Sequence, residues 1–584
     1  METIMSGMES VSNFLWGPWT PWVLLGAGLL FTIWSRFTQY TALTHGFAVV
    51  RGKYDDPNDP GAINHFEALS AALSAAVGLG NIGGVALAIG MGGPGALFWM
   101  WIVGLLGMAL KSVEITLAMM YRNVDDPENP HGGAMWVVDK VLGSKGGAWV
   151  GIAKGIGIFF CITLLISSFT GGNMFQSWSV TQLTEGYFGV SKWTTGIIMA
   201  VLVGMVIIGG IKRIGSVAGK LVPFMCATYL VAAFAVLGVN IGELPAMFKL
   251  VFTSAFNPTE ATGAFLGGSM GYAFMEGMKR ALFSNEAGQG SAPIAHAAAK
   301  TDEPAREGIV GGMGPFIDTI CICTVTAMVI LSTGTWNRAG VGEIQGEVVF
   351  TMQEATADTQ DRAVTLNIPT AVSSLPASEE WKAKDKLYLV ADVEGATHLK
   401  TERSRVPLNG QILEVKDAKE GEPELVIQWD DIKLSTSDWT AMPTAIKLID
   451  KQVHRNYGGA NLTGHAFDRA FPGLGKWLVT LAAWLFALST MISWSYYGEQ
   501  GVVFIFGNGK PGILLYKLLF LAAVLYAAVG IQSTEDMVIL MDLGTGAMLW
   551  SNLPIVIGLG YLAIRSLNTY RDKLKAGEFK RIDS

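Results

Sequence analysis

The stretch ALSAALSAAVGLGNIGGVALAIG, Ala68 to Gly90, decides how the chain is read. It is long and apolar enough to cross a bilayer, yet glycines crowd its middle. A second stretch, GAFLGGSMGYAFMEGMKRALF from Gly263 to Phe283, has the same character. In hydrocarbon every peptide N–H and C=O needs a partner, so an opened turn is tolerated only where it lines a protein-enclosed cavity. A half-helix start presents bare N–H groups to an anion, and unwound carbonyls hold a cation. The pair predicts a buried site for a small charged solute.

Working outward, the 584 residues are 51% hydrophobic and 15% charged, which places the chain among polytopic membrane proteins rather than soluble ones. Cys161, Cys226, Cys321 and Cys323 all lie in apolar stretches, so they read as buried thiols rather than a disulfide framework or a zinc site. The N-terminus METIMSGMESVSNFLWGPWT has neither a basic leader region nor a cleavage site, so no signal peptide is expected. Apolar runs of about 20 residues give eleven expected spans: 21–40, 65–91, 95–120, 148–172, 194–211, 217–238, 259–285, 307–333, 474–499, 513–531 and 536–565. Lys and Arg crowd one side of this arrangement, with Arg51, Arg122, Lys140, Lys212, Arg213, Lys300 and the tail from Arg565 to Arg581. The other side's short segments carry only Lys192 and Lys249. The positive-inside rule then predicts an inner-membrane protein with its N-terminus outside and its C-terminus in the cytoplasm.

Between the eighth and ninth spans the character changes. Residues 336–470 are rich in charge, with acidic residues in excess, and runs such as RAVTLNI (Arg362 to Ile368), KLYLVADV (Lys386 to Val393) and ELVIQWDDIKLS (Glu424 to Ser435) alternate apolar and polar positions. Asn409-Gly410 reads as a hairpin turn. This is expected to be a small β domain outside the membrane, serving as a structural cap, a modulator of solute access or a docking module. The expected organisation is 1–64 (N-terminal segment and first transmembrane helix), 65–335 (first repeat and start of the second), 336–470 (insertion), 471–566 (rest of the core) and 567–584 (basic cytoplasmic tail).

Without the first span, ten remain, and the two glycine-broken segments open the first and second groups of five. Five is odd, so the second group enters the membrane inverted. This is the pattern of an inverted-topology repeat with a site at the midplane. Membrane glycines also serve plain close packing of helices, the competing explanation for either segment alone.

Several strings are distinctive: AVGLGNIGGVALAIGMGGPGALFWMW (Ala76 to Trp101), RALFSNEAGQGSAPIAHAAAKTDEPAREG (Arg280 to Gly308), GPFIDT (Gly314 to Thr319) and STMISWSYYGEQ (Ser489 to Gln500). Together they resemble the alanine or glycine:cation symporter family, over essentially all of the membrane part. The insertion departs from the family's shorter pattern. The resemblance implies an all-α polytopic protein of eleven helices, one N-terminal helix plus a 5+5 inverted repeat of leucine-transporter-like architecture. It also implies sodium-driven uptake of alanine, glycine or a similarly small amino acid, with the lipid bilayer as the other partner and no nucleic acid.

Physical argument and resemblance converge on a set of residues. An unwound turn near Val77–Gly80 frees the N–H groups of Leu79 and Gly80 at the start of a short helix, where dipole and donors favour a carboxylate. The match to the corresponding break of the leucine transporter assigns carboxylate contact to the same two residues. It makes the carbonyls of Ser74 and Val77 sodium ligands, while Asn81 offers its side-chain oxygen to ion or substrate. Sodium, as a hard cation, takes oxygen ligands. Ser489-Thr490 match the adjacent hydroxyl pair that completes a sodium site in this fold, with the Phe486 carbonyl as companion; bonding to their own helix carbonyls is the plain alternative. Trp494 lies one turn after Thr490 and so shares its face, as a pocket wall or as packing. In the second segment, carbonyls around Gly267–Gly271, with Gly268 and Ser269 at the centre, are placed to accept an ammonium group. The other possible break is SNEAGQG (Ser284 to Gly290), expected instead as a headgroup-level loop because Lys279 and Arg280 precede it. Gln176 is costly to bury alone, and the family pattern puts a glutamine on the pocket wall; an interhelical hydrogen bond is the alternative.

Lys111 and Glu114, three residues apart, are expected to pair on one helix face. Glu276, Asp318 and Asp542 are intramembrane acids with relay or gating as functional readings. The absence of a GxxxxGK[ST] loop disfavours ATP-driven pumping, and no nucleophile, base and oxyanion grouping assembles from these motifs, so no enzyme is expected. Proton-coupled or ion-independent exchange is the nearest competing mechanism. A channel or a transporter-like sensor stands further off, and the oligomeric state stays open.

Overall fold

The computed structural model describes residues 2–56, 58–126, 130–257, 270–337, 339–352, 362–383, 385–399, 403–415, 424–430, 432–434, 439–441, 443–531 and 533–579. Helices dominate. The first half of the chain forms α1 (Glu2–Leu15), α2 (Thr20–Trp34), α3 (Thr38–Val50), α4 (His65–Ala76), α5 (Val85–Gly92), α6 (Ala96–Met120), α7 (Ala134–Gly143), α8 (Ala148–Phe169), α9 (Phe175–Phe188), α10 (Lys192–Ile207), α11 (Gly210–Val239) and α12 (Leu244–Ser254). The second half forms α13 (Met270–Asn285), α14 (Ala292–His296), α15 (Pro304–Gly311), α16 (Thr324–Ser332), α17 (Ala460–Ala470), α18 (Gly475–Phe506), α19 (Lys510–Gly530) and α20 (Thr534–Ala576).

Among the described residues, seven helical stretches are long and apolar enough to cross a membrane, or nine if each of two bent pairs is one span. One bent pair is α1 with α2; the other is α4 with the helix from Gly80 to Gly92, bent by 50°. Two of the eleven expected spans fall short of this test. Residues 194–211 correspond to the 16-residue α10, and 259–285 is described only from Met270, where α13 carries Glu276, Lys279 and Arg280.

Long apolar helices form because nothing in lipid competes for their backbone groups, and polar punctuation sets their ends. Asn64 caps α4 in a reciprocal box with Glu67, each side chain holding the other's backbone N–H. Ser533 takes the first free N–H groups of α20. Glu307 is bracketed by His65 and His296, tying α4, α14 and α15 together. Arg122 holds that neighbourhood closed by donating to the carbonyls of Pro60, Ala297, Ala299 and Thr301.

Among the described residues three turns wind as π-helix: Gly80–Gly84 before α5, Thr170–Met174 between α8 and α9, and Phe316–Cys323 between α15 and α16. A π turn leaves one residue per turn out of the ladder, and such turns concentrate at functional sites. All three abut the region where α4, α13 and α18 approach one another.

Between α16 and α17 the chain folds into strands β1 (Gly342–Glu343), β2 (Val349–Met352), β3 (Arg362–Asn367), β4 (Lys386–Glu394), β5 (Arg405–Val415), β6 (Glu424–Trp429), β7 (Ile432–Leu434), β8 (Ala445–Leu448) and β9 (Gln452–Arg455). All pairings are antiparallel. One sheet runs β1-β9-β4-β5-β6 with β8 also on β4, and a second runs β2-β3-β7. Leu387, Leu389, Leu408, Ile412 and Ile427 bury a core separate from that of the helices. The expected turn at Asn409-Gly410 does not exist. Both residues lie inside β5, where Gly410 pairs with Leu387 on one side and Trp429 on the other. A Cβ on Gly410 would come within 2.8 Å of the Trp429 ring, so the glycine makes room for a cross-strand aromatic rather than a turn.

Candidate functional site

The first break follows α4. Val77 leaves helical geometry with ψ 87°, and the chain re-forms as the π turn at Gly80. The freed donors of this break are met by side chains. The Gly78 N–H donates to Asn81 Oδ1 at 2.9 Å, and the Leu79 N–H donates to Gln176 Oε1 at 3.2 Å. Asn81 is thereby a brace: its Nδ2 donates to Asp318 Oδ1 at 2.6 Å, joining the first break to the third π turn. Its oxygen is committed to Gly78 and does not line the cavity.

A second opened turn lies at the later of the two positions that the sequence offered, and the earlier one, Gly267–Gly271, is described only from Met270. Gly271 lies inside α13, and Gly268 and Ser269 lie outside the described residues. The chain opens at residues 286–291, between α13 and α14, with Ser284, Asn285, Glu286, Gln289 and Ser291 all buried. The expectation of a headgroup-level loop is corrected by the fate of the two cations before it. Arg280 donates to Asp542 Oδ1 at 3.0 Å and pairs with Glu276 at 3.3 Å, and Lys279 pairs with Asp542 at 3.3 Å. Neutralised in this way, they sit in the helical core and set no membrane level.

The two breaks face one small cavity. Its wall includes Gly78 and Gly80 from the first break, Phe283 and Gln289 from the second, Gln176 and Gly171 beside the second π turn, and Thr490 and Trp494 from α18. Ala75, Ala76, Ser167 and Thr545 complete it. The central space is ≈ 10 Å³, about one water's room, so the walls must part to admit any larger solute. Glycines let them close this far. A Cβ on Gly78 would stand 2.4 Å from Thr490 Oγ1, and one on Gly172 would stand 2.4 Å from Trp494 Cγ. Thr490 Oγ1 is buried at this wall without a hydrogen-bond partner, which is unusual for a hydroxyl and marks a place where a polar ligand gains a contact.

Next to it, α4 and α18 are joined by hydroxyls. Ser74 Oγ lies 2.6 Å from Ser489 Oγ and donates to the Ser489 carbonyl at 2.8 Å. Val77 and Phe486 are fully buried on the same two elements. The structure therefore brings Gly80, Gln176, Thr490 and Trp494 around one cavity, with the Leu79 N–H held by Gln176 and the Ser74–Ser489 contact alongside. Lining residues not anticipated are Ala75, Ala76, Phe283, Gln289, Gly171, Ser167 and Thr545. Gln289 carried a readable signal, an amide between two glycines in SNEAGQG. Ser167 and Thr545 carried little, since small hydroxyls are common in membrane helices.

The expected Lys111–Glu114 bridge is also absent. Lys111 Nζ donates to the Asn285 carbonyl at 2.7 Å, while Glu114 Oε1 accepts from Asn552 Nδ2 at 2.6 Å. Each finds a better-aimed partner on another element than on its own helix face.

Two broken helices meeting at a closed polar cavity among membrane-length helices define a multi-pass membrane transporter. Residues 1–383 and 438–584 match the sequence profile of the sodium:alanine symporter family, and the chain belongs to that family. The unmatched residues fall within the strand-rich insertion. The chain is 42% identical over 342 residues to the sodium/alanine symporter AgcS of Methanococcus maripaludis, covering 59% of this chain and 74% of that relative. Similarity to the putative sodium/proton-dependent alanine carrier protein YrbD of Bacillus subtilis is 29% over 572 residues, 98% of this chain and 93% of the relative. The probable sodium/glutamine symporter GlnT of Bacillus subtilis is 35% identical over 345 residues, 59% of this chain and 69% of the relative.

Proposed function

We propose that this protein imports a small neutral amino acid, alanine or glycine, together with sodium, by alternating access in a leucine-transporter-like 5+5 inverted repeat preceded by one helix. The observation that carries the reading is the cavity itself, where opened backbone from two helices meets the unpartnered Thr490 hydroxyl. The Leu79 N–H, now taken by the amide oxygen of Gln176, is the donor a solute carboxylate would claim, with the Gly80 N–H beside it. The dipole of the helix running on to Gly92 favours that anion. Gln176 would then serve as a stand-in for the carboxylate, holding the donor satisfied while no solute is bound.

Sodium is the co-transported substrate. Its proposed ligands are the Ser489 and Thr490 hydroxyls with the carbonyls of Ser74, Val77 and Phe486. The proximity of Ser74 and Ser489 supports this choice, since an ion between α4 and α18 would stabilise one arrangement of the first break against the rest of the bundle. Gly268 and Ser269 remain proposed ammonium contacts. Trp494 and Phe283 limit solute size, and a single methylene changes binding by only about 1–3 kcal/mol, so alanine and glycine are expected to be separated weakly. The N-terminus is placed outside, the C-terminus in the cytoplasm of an inner-membrane protein, and residues 336–470 on the outer side.

The test is radiolabelled alanine uptake into proteoliposomes with and without an inward sodium gradient, for wild type and Thr490→Ala. Uptake that ignores the gradient in wild type sinks sodium coupling. Unchanged sodium dependence in the variant removes Thr490 from the site.

A further inference from the structure

Among the described residues, two of the buried groups of charged side chains differ in balance. The first joins Lys279 and Arg280 to Glu276 and Asp542, two cations against two carboxylates. The second surrounds the break at 286–291. It holds Lys111 and Glu114 from α6, Glu286 from the break, and Asp318 from the π turn at Phe316–Cys323, none more than 3% exposed. Lys111 is the cation whose charge acts on all three carboxylates. One ammonium against three carboxylates at membrane depth leaves negative charge without compensation, which a buried group ordinarily relieves by taking up a proton or a cation.

The hydrogen bonds show where relief is needed. Asp318 accepts from Asn81 Nδ2 at 2.6 Å, Ser284 Oγ at 2.7 Å and Thr319 Oγ1 at 2.8 Å, and is well served as an anion. Glu286 accepts from Ser291 Oγ at 2.6 Å and is faced by the Trp494 indole. Glu114 is different. Asn552 serves Oε1 and the Gly288 N–H also acts on the carboxylate, while Oε2 is buried without a well-formed hydrogen bond of its own. The other polar groups facing the cluster are Asn285, which receives Lys111 on its carbonyl, Tyr497 from α18, whose buried hydroxyl is unpartnered, and the Cys323 thiol.

We propose that this cluster is a proton-binding site coupled to the solute cavity, with Glu114 holding the proton in the closed conformation seen here. Protonation at Oε2 leaves one ammonium between two hydrogen-bonded carboxylates. Metal cations fit less well, because the groups converging on these carboxylates are N–H and O–H donors rather than oxygen lone pairs. Among the described residues no set of three or more His, Cys, Asp and Glu is arranged to hold a metal ion.

Coupling follows from the shared break. Phe283 and Gln289 point into the cavity, while Asn285, Glu286 and Ser291 engage the cluster. Trp494 touches both. Glu286 also sits at φ 57°, a left-handed conformation that normally goes to glycine or asparagine at a helix end. A carboxylate kept there at that cost is one whose charge state is used. Opening the cavity moves this turn and with it the field at Glu114.

The test uses the purified full-length protein. Infrared spectra at neutral pH should show the carbonyl stretch of a protonated buried carboxyl, lost in Glu114→Gln. Asn552→Leu, which removes the donor to Oε1 and so disfavours the anion, should move the disappearance of that band to higher pH. In proteoliposomes, sodium-driven alanine uptake by wild type should fall on the alkaline limb with a slope approaching tenfold per pH unit, one proton's worth, and the limb should flatten in Glu114→Gln. Loss of the band in Glu286→Gln instead would place the proton on the wrong carboxylate; a band that survives in Glu114→Gln, or that is absent at neutral pH, overturns the proposal. So does a missing band accompanied by the loss of one bound radioactive sodium ion in Glu114→Gln, which would make this a metal-cation site. The infrared result stands apart from the transport reading, so failure of alanine uptake and failure of the proton site are distinguishable.

Discussion

The two broken helices use the same backbone device and dress it in opposite ways. From Val77 to Gly84 the first break carries no ionisable side chain, and its freed N–H groups are held by the neutral amides of Asn81 and Gln176. The second break carries Glu286 and packs against Lys111, Glu114 and Asp318. An opened turn in lipid must be satisfied, and either main-chain donors or side-chain charges supply the chemistry. The first break suits an anion that is itself the cargo. The second keeps a charge inventory, which under the proposed function would face the other end of a zwitterion and its driving ion.

The comparison can be broken at several points. The largest effect is expected where the charged side loses its balance. Arg280→Met strands Asp542 and Glu276 without their strongest partner, and a broken buried pair costs about 3–5 kcal/mol. Thermal unfolding in detergent should show it, with Asp542→Asn restoring part of the loss in the double variant. A smaller fall there would mean that water reaches this cluster.

Obstruction of the neutral break comes next. Gly78→Val drives a side chain into the Thr490 hydroxyl, and misplacement of a binding group by about an ångström is worth on the order of a hundredfold in rate. Alanine uptake should drop by that order while the melting curve moves little; normal uptake would take Gly78 off the solute path. Asn81→Leu strips the cap from the Gly78 N–H and a donor from Asp318. Leaving buried polar groups unmet costs about 1–3 kcal/mol, readable as an earlier melting transition. Smallest is a contrast at the charged break. Glu286→Ala and Glu286→Gly remove the same carboxylate, but only glycine is at ease at φ 57°. The glycine variant should be the more stable of the two by about 1 kcal/mol. Equal stabilities would show that the turn relaxes once its charge is gone.

Much of the site was legible because its signals are local. Glycines in the middle of Ala68–Gly90 announce a break wherever the rest of the chain goes, and Thr490 with Trp494 share a face by helical geometry alone. From the sequence alone the opening at 286–291 reads as a headgroup-level loop, because that reading depends on Lys279 and Arg280. Their cost in a membrane was readable, but their neutralisation by Asp542, 262 residues away for Arg280, was not. Lys111 and Glu114 fail for the same reason, since i to i+3 spacing permits a pair while Asn285 and Asn552 offer stronger partners from distant elements. At Asn409-Gly410 a strong turn signal yielded to the Trp429 ring on the neighbouring strand.

By itself the sequence determined the membrane class, the strand-bearing insertion between α16 and α17, and the uncharged break at Val77–Gly84, because hydropathy, alternation and glycine content act within a few residues of one another. Tertiary structure decided that the glycine cluster at 286–291 opens within the protein, which charges neutralise each other, and that Phe283, Gln289, Ser167 and Thr545 share a cavity with Thr490. Those outcomes turn on the cost of burying charge and polar groups, and that cost is set by partners that only the folded chain brings within reach.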